Sequence, residues 1–129
     1  MPLMDYALIF SDEQDLSGAG SVESTNVIDF EKTNPNLGDG TPLVVRVFVN
    51  TAFTTLTSLK VTIQHGATST PATDLVSGPA VAQASLVAGY EFPRLMIPQK
   101  HLRYMRLYYT IAGSNPTAGS VTAFIEAQQ

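Results

Sequence analysis

The sequence has 129 residues at 13.8 kDa, contains neither cysteine nor tryptophan, and carries a formal net charge of −4 with a pI near 4.9. One hydrophobic core serves a chain of that length, and zero cysteine excludes a disulfide framework, a thiolate nucleophile, iron–sulfur clusters and cysteine-ligated zinc. The acidic balance argues against a protein that coats DNA or RNA, where affinity comes from neutralising phosphates.

Taken in chain order, the elements are β. Tyr6–Phe10 and Val27–Phe30 are short strand candidates, and 1–10 is expected to be an extended arm or a first strand. Leu43, Val45, Val47 and Val49 alternate with Val44, Arg46, Phe48 and Asn50, the period-2 signature of a strand. Leu59, Val61 and Ile63 alternate in the same way with Lys60, Thr62 and Gln64. Ala80–Ala88, flanked by Pro79 and Gly89, has room for two helical turns at most. Glu91–Ile97 is a further short strand candidate. Arg103, Met105, Leu107, Tyr109 and Ile111 interleave with Leu102, Tyr104, Arg106, Tyr108 and Thr110, and Val121, Ala123 and Ile125 with Thr122, Phe124 and Glu126. Gly38-Asp39-Gly40 and Ser114-Asn115-Pro116 supply turns before the third and last strands. Thr, Val and Ile, which suit a pleated surface, make up 31 residues, and no repeat or linker divides the chain. Seven or eight short strands are expected to form one antiparallel β-sandwich or jelly roll over residues 1–129.

Charged residues are only 14% of the chain, against about 25% in ordinary soluble domains. Either Thr and Ser replace charge on a β-rich surface, or much of that surface is covered in an assembly, since interface cores are depleted in Lys, Glu and Asp. Residues 1–40 hold eight acids and one base, whereas residues 41–129 hold three acids and six bases. Arg94, Lys100, His101, Arg103 and Arg106 cluster within thirteen positions. The acidic and basic segments could pair within a molecule, pair between neighbours, or be solvated separately. No basic leader, membrane-length apolar run or glycosylation spacing occurs, so a soluble protein made in the cytoplasm is expected.

The residue types that carry chemistry are sparse. There is no G-x-S-x-G elbow, and His65 and His101 lack a neighbouring Ser or Asp at a suggestive spacing; His65, before Gly66, reads as a surface turn residue. Two histidines do not supply a cupin-type metal set. Asp12-Glu13-Gln14-Asp15 lacks the order of a calcium loop and reads as a solvated acidic turn, with a weak cation site left open. An enzyme is not expected, and neither is a cofactor. Binding through surface is what remains. Tyr90, Phe92, Tyr104, Tyr108 and Tyr109 interleave with Arg94, Arg103 and Arg106, and Tyr and Arg are enriched at interfaces. Tyr104 and Tyr108 share a strand face with Arg106, the better candidate for outward display.

Three stretches carry a family resemblance: Ser24-Thr25-Asn26-Val27-Ile28-Asp29; Leu37-Gly38-Asp39-Gly40-Thr41-Pro42-Leu43; and Arg103–Tyr109 continuing through Thr117–Phe124. With the Leu75–Gly89 segment between them, they resemble the small capsid cement, or decoration, proteins of short-tailed bacteriophages. The resemblance implies a jelly roll that binds the outside of an icosahedral head in many copies and bridges capsomers. Its partners would be the major capsid protein and its own copies, as a dimer first and a trimer second, with no nucleic acid and no membrane. The location it implies is the outer capsid surface of the virion. The Met1–Phe10 arm and the basic segment are the expected contacts, with Tyr6, Arg94, Lys100, Arg103, Tyr104, Arg106 and Tyr108 as candidates. The competing reading is a lectin-like jelly roll that binds carbohydrate, for example on a phage tail.

Overall fold

A computed structural model describes residues 9–18, 20–29, 43–97 and 103–127. Among these the strands are β1 (Ile9–Asp15), β2 (Val22–Glu23), β3 (Ile28–Asp29), β4 (Leu43–Thr51), β5 (Leu56–Gly66), β6 (Thr73–Ser77), β7 (Val81–Ala82), β8 (Leu95–Met96), β9 (Tyr104–Gly113) and β10 (Ser120–Ala127). They form two sheets, one in the order β1-β10-β4-β8 and the other in the order β2-β9-β5-β6, with β3 also on β9 and β7 also on β5. Every pairing between these strands is antiparallel.

Because β2 and β3 both lie on β9, they act as one interrupted strand; β6 and β7 act as another on β5. The pairing is then nested: first strand with last, second with second-last, β4 with β8, and β5 with β6 and β7. That nesting is the topology of a jelly roll, an antiparallel ribbon rolled into two facing sheets. The expected all-β sandwich is the fold observed.

The alternation read in the sequence sorts the faces. Val45, Val47 and Val49 of β4, Leu59, Val61 and Ile63 of β5, Met105, Leu107 and Tyr109 of β9, and Val121, Ala123 and Ile125 of β10 are buried between the sheets. At one end of the sandwich Phe53 closes this core. Its N–H donates to the Leu86 carbonyl (3.0 Å), while the Leu16 N–H donates to the Gly119 carbonyl (2.9 Å). Gly119, at φ +146°, lies against the Phe53 ring so closely that a β-carbon there would overlap it.

The Ser24-Thr25-Asn26 stretch stitches the two sheets together. Ser24 N–H donates to the Leu107 carbonyl (2.7 Å), and its buried hydroxyl accepts the Leu107 N–H (3.1 Å). Two residues on, the Asn26 N–H donates to the Phe10 carbonyl (3.0 Å), and the Asn26 side-chain amide to the Ile9 carbonyl (3.1 Å). A short polar run therefore satisfies backbone groups of β9 in one sheet and β1 in the other, where buried carbonyls and amides cannot be left bare.

Several sequence expectations are corrected. Asp12–Asp15 is not a turn; it belongs to β1, whose register against β10 shifts between Ser11 and Gln14, with Glu13 at φ +49°. An edge strand accommodates a bulge and a row of solvent-facing acids without burying charge. Ala80–Ala88 holds only β7 and one 3-10 turn at Gln83–Ser85, and Glu91–Ile97 shrinks to an isolated bridge at Glu91 plus β8. His65 is no turn residue: it pairs with Thr73 and Met105 at the end of β5 and is half-buried. The Gly38-Asp39-Gly40 turn and most of the Met1–Phe10 arm lie outside the described residues.

Candidate interaction face

β9 is an interior strand of the second sheet, so its outward side chains stand in the middle of a sheet face. With Met105, Leu107 and Tyr109 anchored inward, the alternation turns Tyr104, Arg106 and Tyr108 out, each half-buried. Register fixes their neighbours. Tyr108 lies between Glu23 of β2 and Thr62 of β5; Arg106 is opposite Gln64; Tyr104 lies between Asp29 of β3 and Gly66.

Arg106 is held from one side only. Its Nε–H donates to the Gln64 side-chain oxygen Oε1 (2.9 Å), and the Gln64 side-chain Nε2 donates in turn to the Asp74 carboxylate (3.1 Å). Gln64 is 7% and Thr62 4% exposed, although both face away from the inter-sheet core. Among the described residues, no hydrogen bond reaches the terminal guanidinium nitrogens of Arg106 or the hydroxyls of Tyr104 and Tyr108. Arg103, just before β9, lays its guanidinium 5.0 Å from the centre of the Tyr104 ring, a cation–π contact.

Of the residues singled out in the sequence, the structure thus brings together Arg103, Tyr104, Arg106 and Tyr108. Arg94 is elsewhere, on the approach to β8 in the other sheet, with its Nε 3.0 Å from Glu91 Oε2. Tyr6 and Lys100, like His101, lie outside the described residues. Sequence reasoning missed Gln64 and Asp74, which position Arg106. The outward alternation of Lys60, Thr62 and Gln64 was visible, but the pairing of position 64 with positions 74 and 106 is set by long-range register.

The outer face of the first sheet is built differently. Arg46 donates from Nε to Glu91 Oε2 (2.9 Å) and from Nη2 to Glu91 Oε1 (3.2 Å), and its guanidinium lies 4.7 Å from the centre of the Phe48 ring. Phe48 stacks on Phe124 at 6.0 Å. The Arg46 grip holds the Glu91 carboxyl below the usual range, against the opposing effect of partial burial and with a smaller contribution from Arg94. This face is internally paired, whereas the Arg106 face presents unused donors.

In the acidic run, Asp15 accepts the Ser17 N–H (2.8 Å), and hydrogen bonding to Ser17 lowers its pKa. Among the described residues, no three His, Asp or Glu side chains converge to hold a metal ion. No helix among them is long and apolar enough to cross a membrane.

A family model described as Bbp16 matches residues 10–125, nearly the whole chain and every strand described above except the ends of the first and last. The chain belongs to the Bbp16 family. Its match runs from Phe10, the first core residue of β1, to Ile125, the last core residue of β10, so Bbp16 membership covers both sheets and the Tyr–Arg face of β9. No curated protein matches the chain.

Proposed function

We propose that this protein is a structural, non-enzymatic component of a virion, a cement protein that binds the outer surface of an icosahedral phage head and bridges neighbouring capsomers. The observation that carries the reading is the outward row Tyr104–Arg106–Tyr108, set mid-face on a sheet whose other side is packed core. Large, amphipathic rings on a rigid strand bind with little loss of side-chain freedom, and an adjacent guanidinium adds directional donors. The family resemblance of the Ser24–Asp29, Leu37–Leu43 and Arg103–Phe124 stretches supports the same reading.

The mechanism needs no chemistry. A protein that binds the assembled shell but not its free subunits shifts the equilibrium toward the closed shell by mass action. Each copy spans more than one shell subunit, so its second contact forms intramolecularly and weak faces suffice. Its partners in this reading are the major capsid protein and further copies of itself.

Sedimentation with purified heads that lack the protein tests this directly. Saturable pelleting of the 13.8 kDa chain, at a copy number comparable to the shell subunit, is the expected result. Retention in the supernatant overturns the reading. The pair of half-buried tyrosines on one sheet face is also the arrangement a sugar platform uses, and binding on a glycan array with no pelleting would favour that second reading.

A further inference from the structure

We infer that Arg106, held by the Gln64–Asp74 relay, is a preformed receptor for a single carboxylate on the surface of a partner protein, with Tyr104 and Tyr108 as flanking donors. The inference specifies the chemistry of the face used in the reading above. Gln64 takes the Nε–H of Arg106, which fixes the guanidinium plane and leaves the terminal nitrogens, the fork that matches a carboxylate, without a partner among the described residues. The relay costs nothing at the moment of binding, because Gln64 is itself buried and tied to Asp74. Tyr104 and Tyr108 stand two residues to either side on the same strand face, and their hydroxyls carry no hydrogen bond among the described residues.

Charge decides between possible anions. Glu23, on β2, lies across the ladder from Tyr108, and Asp74, on β6, accepts from the Gln64 side-chain amide, so an acid stands to each side of β9 along this sheet. Those acids repel a phosphate dianion about twice as strongly as a singly charged carboxylate, and a nucleic-acid backbone, charged at every nucleotide, more strongly still. One carboxylate flanked by neutral or basic residues, as on a mixed-charge protein surface, complements the alternation acid–Arg106–acid. Gln64 and Asp74 are positioning residues in this scheme, and Arg106 makes the contact.

The test is an NMR titration of the 15N-labelled full chain with two blocked peptides, Ac-Thr-Glu-Thr-NH2 and Ac-Thr-Gln-Thr-NH2, and with inorganic phosphate. The expected result is a saturable shift of the Arg106 Nε–H and of the Tyr104, Arg106 and Tyr108 amides with the Glu peptide alone. Arg106→Gln should abolish the response, and Arg106→Lys should weaken it while keeping the charge. Gln64→Met, which frees the guanidinium, should weaken it roughly three- to tenfold, the effect of losing one hydrogen bond. Equal shifts with the Gln peptide, a stronger response to phosphate, or no response in the wild type would overturn the inference. Because no heads are used, a carboxylate response without head pelleting rejects the cement reading alone. Head pelleting without a carboxylate response rejects this inference alone.

Discussion

The hydroxyls of Ser11 and Tyr109 meet at 2.7 Å between the two sheets, both fully buried, and the Ser11 hydroxyl also reaches the Gln14 side chain at 2.6 Å. Removing the two partners should not cost the same. Tyr109→Phe leaves Ser11 bonded to Gln14 and should cost about 1 kcal/mol, whereas Ser11→Ala strands a buried phenol and should cost about 1–3 kcal/mol. Urea denaturation of the two variants checks that order. Burial also pushes the Tyr109 phenol well above its ordinary value of 10.0, with the Ser11 hydrogen bond opposing more weakly. The unfolded chain therefore ionises first as pH rises, so this phenol favours the fold at neutral pH and works against it from about pH 10.0 upward. Melting curves should show that alkaline decline in the wild type and a shallower one in Tyr109→Phe. Gly119→Ala should be the costlier change, about 2–4 kcal/mol, because it combines a disfavoured φ with overlap of the Phe53 ring.

Among the elements, the two outer sheet faces differ in what they leave available. Glu91 bridges to Phe48 and binds both Arg46 and Arg94, so it fastens the segment before β8 to β4. Its folded pKa is depressed, so the pairing contributes above the ordinary value of 4.5 and is lost as pH falls through the lowered value. Glu91→Gln should flatten the acid limb of stability measured by melting between neutral and acid pH, with a cost of about 1 kcal/mol or less because the pair is partly solvated. The long strands were legible in the sequence: β4, β5, β9 and β10 each alternate over six or more residues, and their inward faces are as the pattern implies. The short ones were not. β2, β3, β6, β7 and β8 are two to five residues long, and their pairing depends on register with β5, β9 or β4 and not on any local period. β1 was obscured by its acids, which a bulged edge strand can carry.

For the molecule as a whole, the same limit explains the candidate face on β9. Tyr104, Arg106 and Tyr108 were readable as one outward row because they share a strand. Arg94 is close to Arg103 and Arg106 in sequence but not in placement, because the chain crosses from the first sheet to the second between β8 and β9. Gln64 and Asp74, distant in sequence from Arg106, are the residues that orient it. The proposed cement function requires that a shell become harder to open when the protein is added. The most direct measurement is the thermal disruption of purified heads, followed by dye access to the packaged DNA, as wild-type protein is added. The account predicts that the transition rises and saturates with wild-type protein. It also predicts that Arg106→Gln, compared at temperatures where both proteins are fully folded on their own, must be added at higher concentration to reach the same shift. A transition that does not move with wild-type protein, or moves equally with Arg106→Gln, would contradict it.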